Sequence, residues 1–497
     1  MKEKKSLNKK NTSYRQILLA GLIIILAIIV RAYFWTGHIF SDDAYYSYLS
    51  HTLFEGDFVK DYLGYPVFPL RIGQISLTSF SFSLFGSNEF ATVVFPFLFS
   101  IFNLILAYKL THLITNKINT ALVAVLLIAL FPTDVLFATM NFPDLINVFF
   151  INLGIYFLLN SYYNKNKKKA LVGGIFLFLS MQFKESIYYV LILLLILLVY
   201  SLIKKKQITY QIVIGILFVG INLLLEGFIY LFLHGDFFHR ITITSLNFQY
   251  SFYDFFPYTA QKYSGSKNYF KILFDQIFLI NVKSIYLRRF YLFLPIIASI
   301  QSFIHLNKKE HKFLIYWFVG LAVLMITFTT SFTEFKPLDL QRSWYVYPLL
   351  MPMIVLSAQF VLRFKKQISI LLLIIYTLGC LIMCHHYDIY FDKSNLISLK
   401  SFLRENSHKK IFTDHFTKYS VDLIRSYEAT SKSNRILGKG FNFNKVEKGD
   451  WILYSKKHID ELKLQKHEFP DFSILNSMSF KKISEYNDFI FYEKTVQ

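Results

Sequence analysis

Ionisable side chains set among long apolar runs are where this chain could do chemistry. Asp42-Asp43 follow the first such run, and Asp134 and Asp144 bracket a short turn after the third. Lys184-Glu185 occupy another turn, and Arg288-Arg289 and Arg342 precede two later runs. Charges at membrane level are costly and by default mark function. A carboxylate at a membrane surface can act as a general base toward a hydroxyl or amine. Cations facing it can hold a phosphate and stabilise it as a leaving group. A lipid phosphate already in the bilayer needs only a groove between helices to reach such a site. A membrane-phase donor, a phosphate leaving group and a base at the outer face together imply glycosyl transfer from a polyprenyl-phosphate sugar. Phosphate departs readily as an anion, so a separate general acid is not obligatory.

The elements that must position these groups are membrane helices. Of 497 residues, 54% are hydrophobic, more than a soluble domain of this length needs. Long apolar runs recur from end to end, which makes the chain polytopic. A formal net charge of +21 would suit nucleic acid, but its placement argues against that partner. Lys and Arg fall in short clusters between apolar runs, the pattern of cytoplasmic loops. These clusters are residues 2–15, Lys117, Lys165 with 167–169, 204–206, 308–312 and 363–366. Each interval between clusters holds two apolar runs, hence one hairpin: 17–34 with 90–113, 120–137 with 145–160, 170–183 with 187–203, 210–233 with 290–305, and 313–330 with 345–362. A last run, 367–384, crosses alone.

The expected fold is therefore a polytopic α-helical membrane protein of about eleven transmembrane helices, multi-pass in the plasma membrane. Its N-terminus is cytoplasmic and its C-terminus extracytoplasmic. Residues 1–384 form a transmembrane catalytic domain with outer loops 36–88, 234–289 and 331–344. Residues 385–497 turn polar, with strand-like pieces at 411–413, 451–454 and 489–492, and read as a small extracytoplasmic α/β domain. Pro132 should break the run at 120, and Gly173-Gly174 sit near the start of the run at 170. The first run has a basic leader but no small-residue cleavage site and reads as a retained helix. The two cysteines, Cys380 and Cys384, read as small apolar packing residues.

Each charged group also has a plainer role open to it. Tyr45, Tyr46, Leu49 and Leu53 recur at helical spacing after Asp42-Asp43, so this stretch reads as an interfacial helix capped by Ser41 or Asp42. Asp134 suits a helix end and Asp144 a first-turn acid that offsets the helix dipole. Lys184 and Glu185 can pair with each other or snorkel. Arg288-Arg289 suit anionic lipid headgroups, and membrane lipids are expected partners. Glu226 suits helix packing, and His38 an interfacial aromatic. His385-His386 after Cys384 lack a standard metal spacing.

Several motifs in order resemble the GT-C superfamily of integral-membrane glycosyltransferases, nearest the branch of protein O-mannosyltransferases and lipid A aminoarabinose transferases. They are Asp42-Asp43-Ala44-Tyr45-Tyr46, the Pro-rich stretch Tyr65 to Gly73 with Leu84 to Glu89, Pro143-Asp144, Phe183-Lys184-Glu185-Ser186, and Arg342-Ser343-Trp344 leading to Pro348 and Pro352. The resemblance covers residues 17–384. It implies that Asp42 is the catalytic acidic position, with Asp43 beside it. Asp43 and Asp144 match positions that shape the site or, in some members, bind a divalent metal ion. Lys184 and Arg342 resemble donor-phosphate contacts; the family's usual Arg-Tyr is Arg-Ser-Trp here. The implied reaction is inverting transfer from a polyprenyl-phosphate-linked sugar donor to a hydroxyl of an envelope glycan, lipid or protein. Two or three carboxylates can serve it with or without a metal. The rival readings are a lipid or glycan transporter, which would show matched broken helices and a midplane site, and a non-catalytic membrane scaffold.

Overall fold

The computed structural model describes residues 2–57, 67–204, 209–251, 293–304, 309–327, 347–427, 435–436, 443–456, 472–477 and 479–496. Every one of the eleven expected apolar runs carries a helix. In chain order these are α1 (Lys2–Tyr33), α4 (Glu89–Thr115), α5 (Ile118–Ala129), α7 (Asp144–Asn164), α8 (Lys167–Met181) and α9 (Ile187–Ile203). They continue with α10 (Thr209–His234), α12 (Phe293–Ile304), α13 (Lys309–Thr327), α14 (Leu350–Val361) and α15 (Lys366–Tyr390). Gln16–Tyr33, Glu89–Thr115, Asp144–Asn164, Tyr210–His234 and Lys366–Tyr390 are long and apolar enough to cross a bilayer by themselves. Between them lie the short elements α2 (Asp42–Phe54), α3 (Ile72–Phe85), α6 (Pro132–Phe137) and α11 (His239–Ser251). The chain is a polytopic α-helical membrane protein with a small C-terminal sheet domain.

Local chemistry sets the helix ends. α4 begins where the Asn88 side chain accepts the Ala91 N–H at 3.0 Å and ends at Asn116 in the left-handed region, φ 51°. Such capped ends satisfy backbone groups that the helix leaves open. Pro132 does interrupt the third run. Phe131 before it is extended, as a residue preceding proline prefers, and α6 restarts with Pro132 in its first turn. Gly173 and Gly174 lie within α8 and serve close packing. A Cβ on Gly174 would stand 2.8 Å from the Gly215 carbonyl of α10, and one on Gly173 would stand 3.0 Å from the Gly154 carbonyl of α7. Small residues let membrane helices approach backbone to backbone.

The tail adds α16 (Lys393–Glu405), α17 (His415–Ile424) and strands β1 (Ile411–Thr413), β2 (Arg435–Ile436), β3 (Trp451–Ser455), β4 (Phe480–Tyr486) and β5 (Phe489–Lys494). The sheet order is β2-β1-β3-β5-β4. β1 runs parallel to β2 and β3, and β5 runs antiparallel to β3 and β4. The expected strands correspond to β1, β3 and β5. β4 is an edge strand with exposed Lys481 and Lys482, a common guard against edge pairing, and that polarity hid it.

The tail and the first outer segment form one body. Phe40 enters the tail core beside Leu399, Trp451 and Phe491, with its ring 5.0 Å from Phe489. Tyr48 of α2 meets Tyr419 of α17 at 4.1 Å, and His51 stacks on Tyr427 at 3.7 Å. The apolar stripe of α2 therefore packs on protein rather than on the bilayer: Tyr45, Tyr46 and Leu49 are buried against Val67, Phe68 and Tyr419. The tail thus lies on the face of the bundle that carries Asp42.

Candidate active site

The two adjacent acids at the start of α2 take opposite roles. Asp42 is exposed, whereas Asp43 is fully buried. Asp43 Oδ2 accepts the Ile39 N–H at 2.6 Å and Oδ1 accepts the Ser41 N–H at 2.7 Å. His38 Nδ1 stands 3.0 Å from Asp43 Oδ2, both side chains fully enclosed. His38 is thus a buried partner, not an interfacial aromatic. Burial alone would raise the Asp43 carboxyl, but the His38 charge and these donors hold it below its ordinary value. The Ser41 side chain makes no capping bond; Asp43, reaching backward, pins the segment instead. Asp42 is then presented outward on the first turn of a helix whose base is fixed.

Next to Asp42 on the same helix, Tyr46 is fully buried and hydrogen-bonded to Arg71. Burial pushes the Tyr46 hydroxyl far above its usual range; the Arg71 cation opposes this and the Asp42 charge adds to it. Arg71 also donates to Glu185, Nη2 to Oε2 at 2.9 Å and Nε to Oε1 at 3.4 Å. The approach depends on Gly73, whose N–H donates to the Gln182 carbonyl at 2.8 Å. A Cβ on Gly73 would stand 2.8 Å from the Phe183 ring and 2.9 Å from that carbonyl. Burial alone would raise Glu185, yet Arg71 and the more distant Arg240 hold its carboxyl below the usual range.

Lys184 and Glu185 do not pair with each other. Lys184 Nζ meets Asp144 Oδ1 at 2.5 Å, the side chains 13% and 7% exposed. Asn147, one turn into α7, donates to the Ser180 and Lys184 carbonyls at 2.7 and 3.0 Å and fixes the turn that carries both residues. Glu226 of α10 holds Arg240 of α11 at 2.7 Å. The Arg240 guanidinium also reaches the Leu70 carbonyl at 3.1 Å, beside Arg71. Asp134 is no mere helix end. It meets Arg31 of α1 at 2.5 Å with both side chains fully buried, and it accepts from Asn103 and Tyr347.

The structure therefore joins Lys184 to Asp144 directly. Tyr46, one turn along α2 from Asp42, is joined through Arg71 to Glu185, the residue after Lys184. Arg342, Arg288 and Arg289 lie outside the described residues. Asp43 and Asp144, the acids expected to take a divalent ion, each have partners within the protein. The Asp43 oxygens face N–H donors and His38, and Asp144 faces the Lys184 ammonium. No group of three or more metal-ligating side chains occurs among the described residues, the 384–386 trio included. Arg71 and Arg240 escaped the sequence reading of the site. The available signal was a single arginine beside an isoleucine, at Leu70-Arg71-Ile72 and His239-Arg240-Ile241.

The helical bundle with its buried ion pairs and C-terminal sheet domain is a polytopic membrane fold that solved structures share. The family described as dolichyl-phosphate-mannose-protein mannosyltransferase matches residues 76–224. Among solved structures, ArnT from Cupriavidus metallidurans in the apo state aligns with a TM-score of 0.58 at 9% identity, over 97% of this chain and 98% of that one. ArnT bound to undecaprenyl phosphate aligns with a TM-score of 0.52 at 9% identity, over 96% and 97%. The Archaeoglobus fulgidus oligosaccharyltransferase in the apo form aligns with a TM-score of 0.52 at 14% identity, over 86% of this chain and 62% of that one. The chain thus spans about three fifths of the length of that oligosaccharyltransferase. At these identities the likeness is one of fold. No curated protein sequence matches the chain.

Proposed function

We propose that the protein is an inverting glycosyltransferase that moves a sugar from a polyprenyl-phosphate donor to an acceptor hydroxyl at the outer face of a plasma membrane. The observation that carries this reading is the contrast between Asp42 and its neighbours. Asp43, Asp144 and Glu185 are buried, whereas Asp42, at the start of α2, is exposed. In this reading Asp42 takes the proton of the acceptor hydroxyl as it attacks the anomeric carbon. The sugar–phosphate bond breaks and the lipid phosphate leaves as an anion. Lys184 and Arg342 stabilise the departing phosphate, and Lys184 exchanges its Asp144 partner for the phosphate when donor binds. The buried Arg71–Glu185 and Arg240–Glu226 pairs keep the walls in register. No step is routed through a metal ion.

Basic clusters in the opposite loops favour a non-cytoplasmic position for the rim that carries Asp42, which supports a donor arriving from the outer leaflet. The matched mannosyltransferase family and the ArnT fold support a lipid-phosphate sugar as donor class; envelope glycan, lipid and protein remain acceptor classes. The test is purified full-length protein incubated with polyprenyl-phosphate sugars. Release of free polyprenyl phosphate supports the reading. A donor that crosses the membrane intact, with no phosphate released, supports a transporter instead.

A further inference from the structure

A cluster outside the site just described ties the tail to the backbone that carries Asp42. Glu89 stands at the first residue of α4. Its Oε1 accepts from Lys400 Nζ at 2.5 Å and from the His38 N–H at 3.0 Å, and its Oε2 accepts from Arg404 at 2.7 Å. Lys400 and Arg404 are four apart on α16, so both cations belong to the tail. The Glu89 and Lys400 side chains are 13% and 6% exposed, which places the Glu89–Lys400 pair largely out of water. Gly37 makes the approach possible: at φ 71° it has no Cβ, and one there would collide with Glu89 Oε1. From His38 the path to Asp42 is short. The Ile39 and Ser41 N–H groups end on Asp43, and Phe40 between them, at φ 57°, is buried in the tail core. Residues 38–41 are thus held on one side by Asp43 and on the other by Glu89 and the tail.

We propose that Glu89 is a positioning residue that couples the seating of the tail, through α16, on α4 to the placement of Asp42. Turnover at that site then depends on a docked tail. This rests on the transferase reading, in which Asp42 is the base. The physical ground is that a buried pair tolerates loss of both partners far better than loss of one. Glu89→Gln leaves Lys400 enclosed without its counter-charge, so α16 withdraws and residues 38–41 lose a fixed hydrogen bond. Asp42 then samples positions about an ångström from the productive one, enough for a loss of about 10-fold to 100-fold in rate.

The experiment uses full-length protein in lipid nanodiscs, with Glu89→Gln, Glu89→Asp, Lys400→Met and the Glu89→Gln/Lys400→Met pair. Release of polyprenyl phosphate is resolved into kcat and donor KM. In parallel, Asp42→Cys in a background with Cys380 and Cys384 replaced by Ala is labelled with a maleimide, with and without Glu89→Gln. The proposal expects Glu89→Gln to lower kcat about tenfold with donor KM unchanged, and Glu89→Asp to recover most of it. It expects the pair to be no worse than Glu89→Gln alone, and labelling at position 42 to change with Glu89→Gln. Unchanged kcat and unchanged labelling would overturn the coupling, as would a kcat loss with no change in labelling. If the parent protein releases no polyprenyl phosphate, the transferase reading fails, and the labelling comparison alone decides the coupling.

Discussion

Gly73→Ala tests whether the contact between α3 and the turn after α8 builds the site. The added Cβ would sit 2.8 Å from Phe183 Cε2, where carbon atoms prefer roughly 3.5–4.0 Å. The shortfall is about 0.7 Å. The ring can yield, but the Gln182 carbonyl at 2.9 Å is backbone and already accepts the Gly73 N–H. The start of α3 must therefore move outward, and Arg71, two residues earlier, moves with it away from Glu185. Overpacking of this kind costs about 1–3 kcal/mol, which predicts a lower melting temperature for the purified protein. A displacement approaching an ångström in groups that shape the rim predicts a kcat loss of about 10-fold to 100-fold. The assays are thermal unfolding in detergent and release of polyprenyl phosphate from a polyprenyl-phosphate sugar. Parental melting temperature together with parental turnover would refute the assignment of this contact as the brace of the site.

Other consequences follow from the buried pairs. Arg31→Met leaves Asp134 enclosed without its cation, and breaking such a pair by one partner costs about 3–5 kcal/mol; the melting temperature should fall sharply, and Arg31→Met/Asp134→Leu should regain much of it. Glu226→Gln should loosen α11 by freeing Arg240, which is 5% exposed, and should raise hydrogen exchange across residues 239–245. Asp43 sets a pH dependence. Its folded carboxyl lies below the ordinary value of 3.8, so its stabilisation is fully present above 3.8 and is lost as pH falls through the lower folded value. Melting temperatures of the parent should therefore drop more steeply below about pH 4 than those of Asp43→Asn.

The membrane architecture was legible because it rests on local properties. Apolar runs of spanning length, basic clusters between them and one helix-breaking proline account for α4, α7, α10, α15 and the restart at Pro132. The Asp144–Lys184 pair was half-legible, since each residue sits at the end of its own hairpin on one face of the bundle. The division of labour between Asp42 and Asp43 was not. The two are identical in type, and which one turns inward depends on N–H groups of residues 39 and 41 that only the folded segment presents. Arg71–Glu185 and Glu89–Lys400 join residues 114 and 311 positions apart, and no local pattern encodes such pairings. The stripe of α2 had the right spacing for burial, but spacing does not say whether lipid or protein covers it. Here Tyr419, from the far end of the chain, supplies part of the cover. Residues 252–292 and 328–346, Arg342 among them, lie outside the described residues.

The proposed chemistry needs one carboxylate, and one comparison reaches it directly: single-turnover reaction of a polyprenyl-phosphate sugar with the parent protein and with Asp42→Asn, both purified and equally folded. The parent should release polyprenyl phosphate as the sugar leaves, and Asp42→Asn should bind the same lipid yet release less by at least about a hundredfold. Equal release from both proteins would contradict the role given to Asp42 and, with it, the mechanism built around this rim.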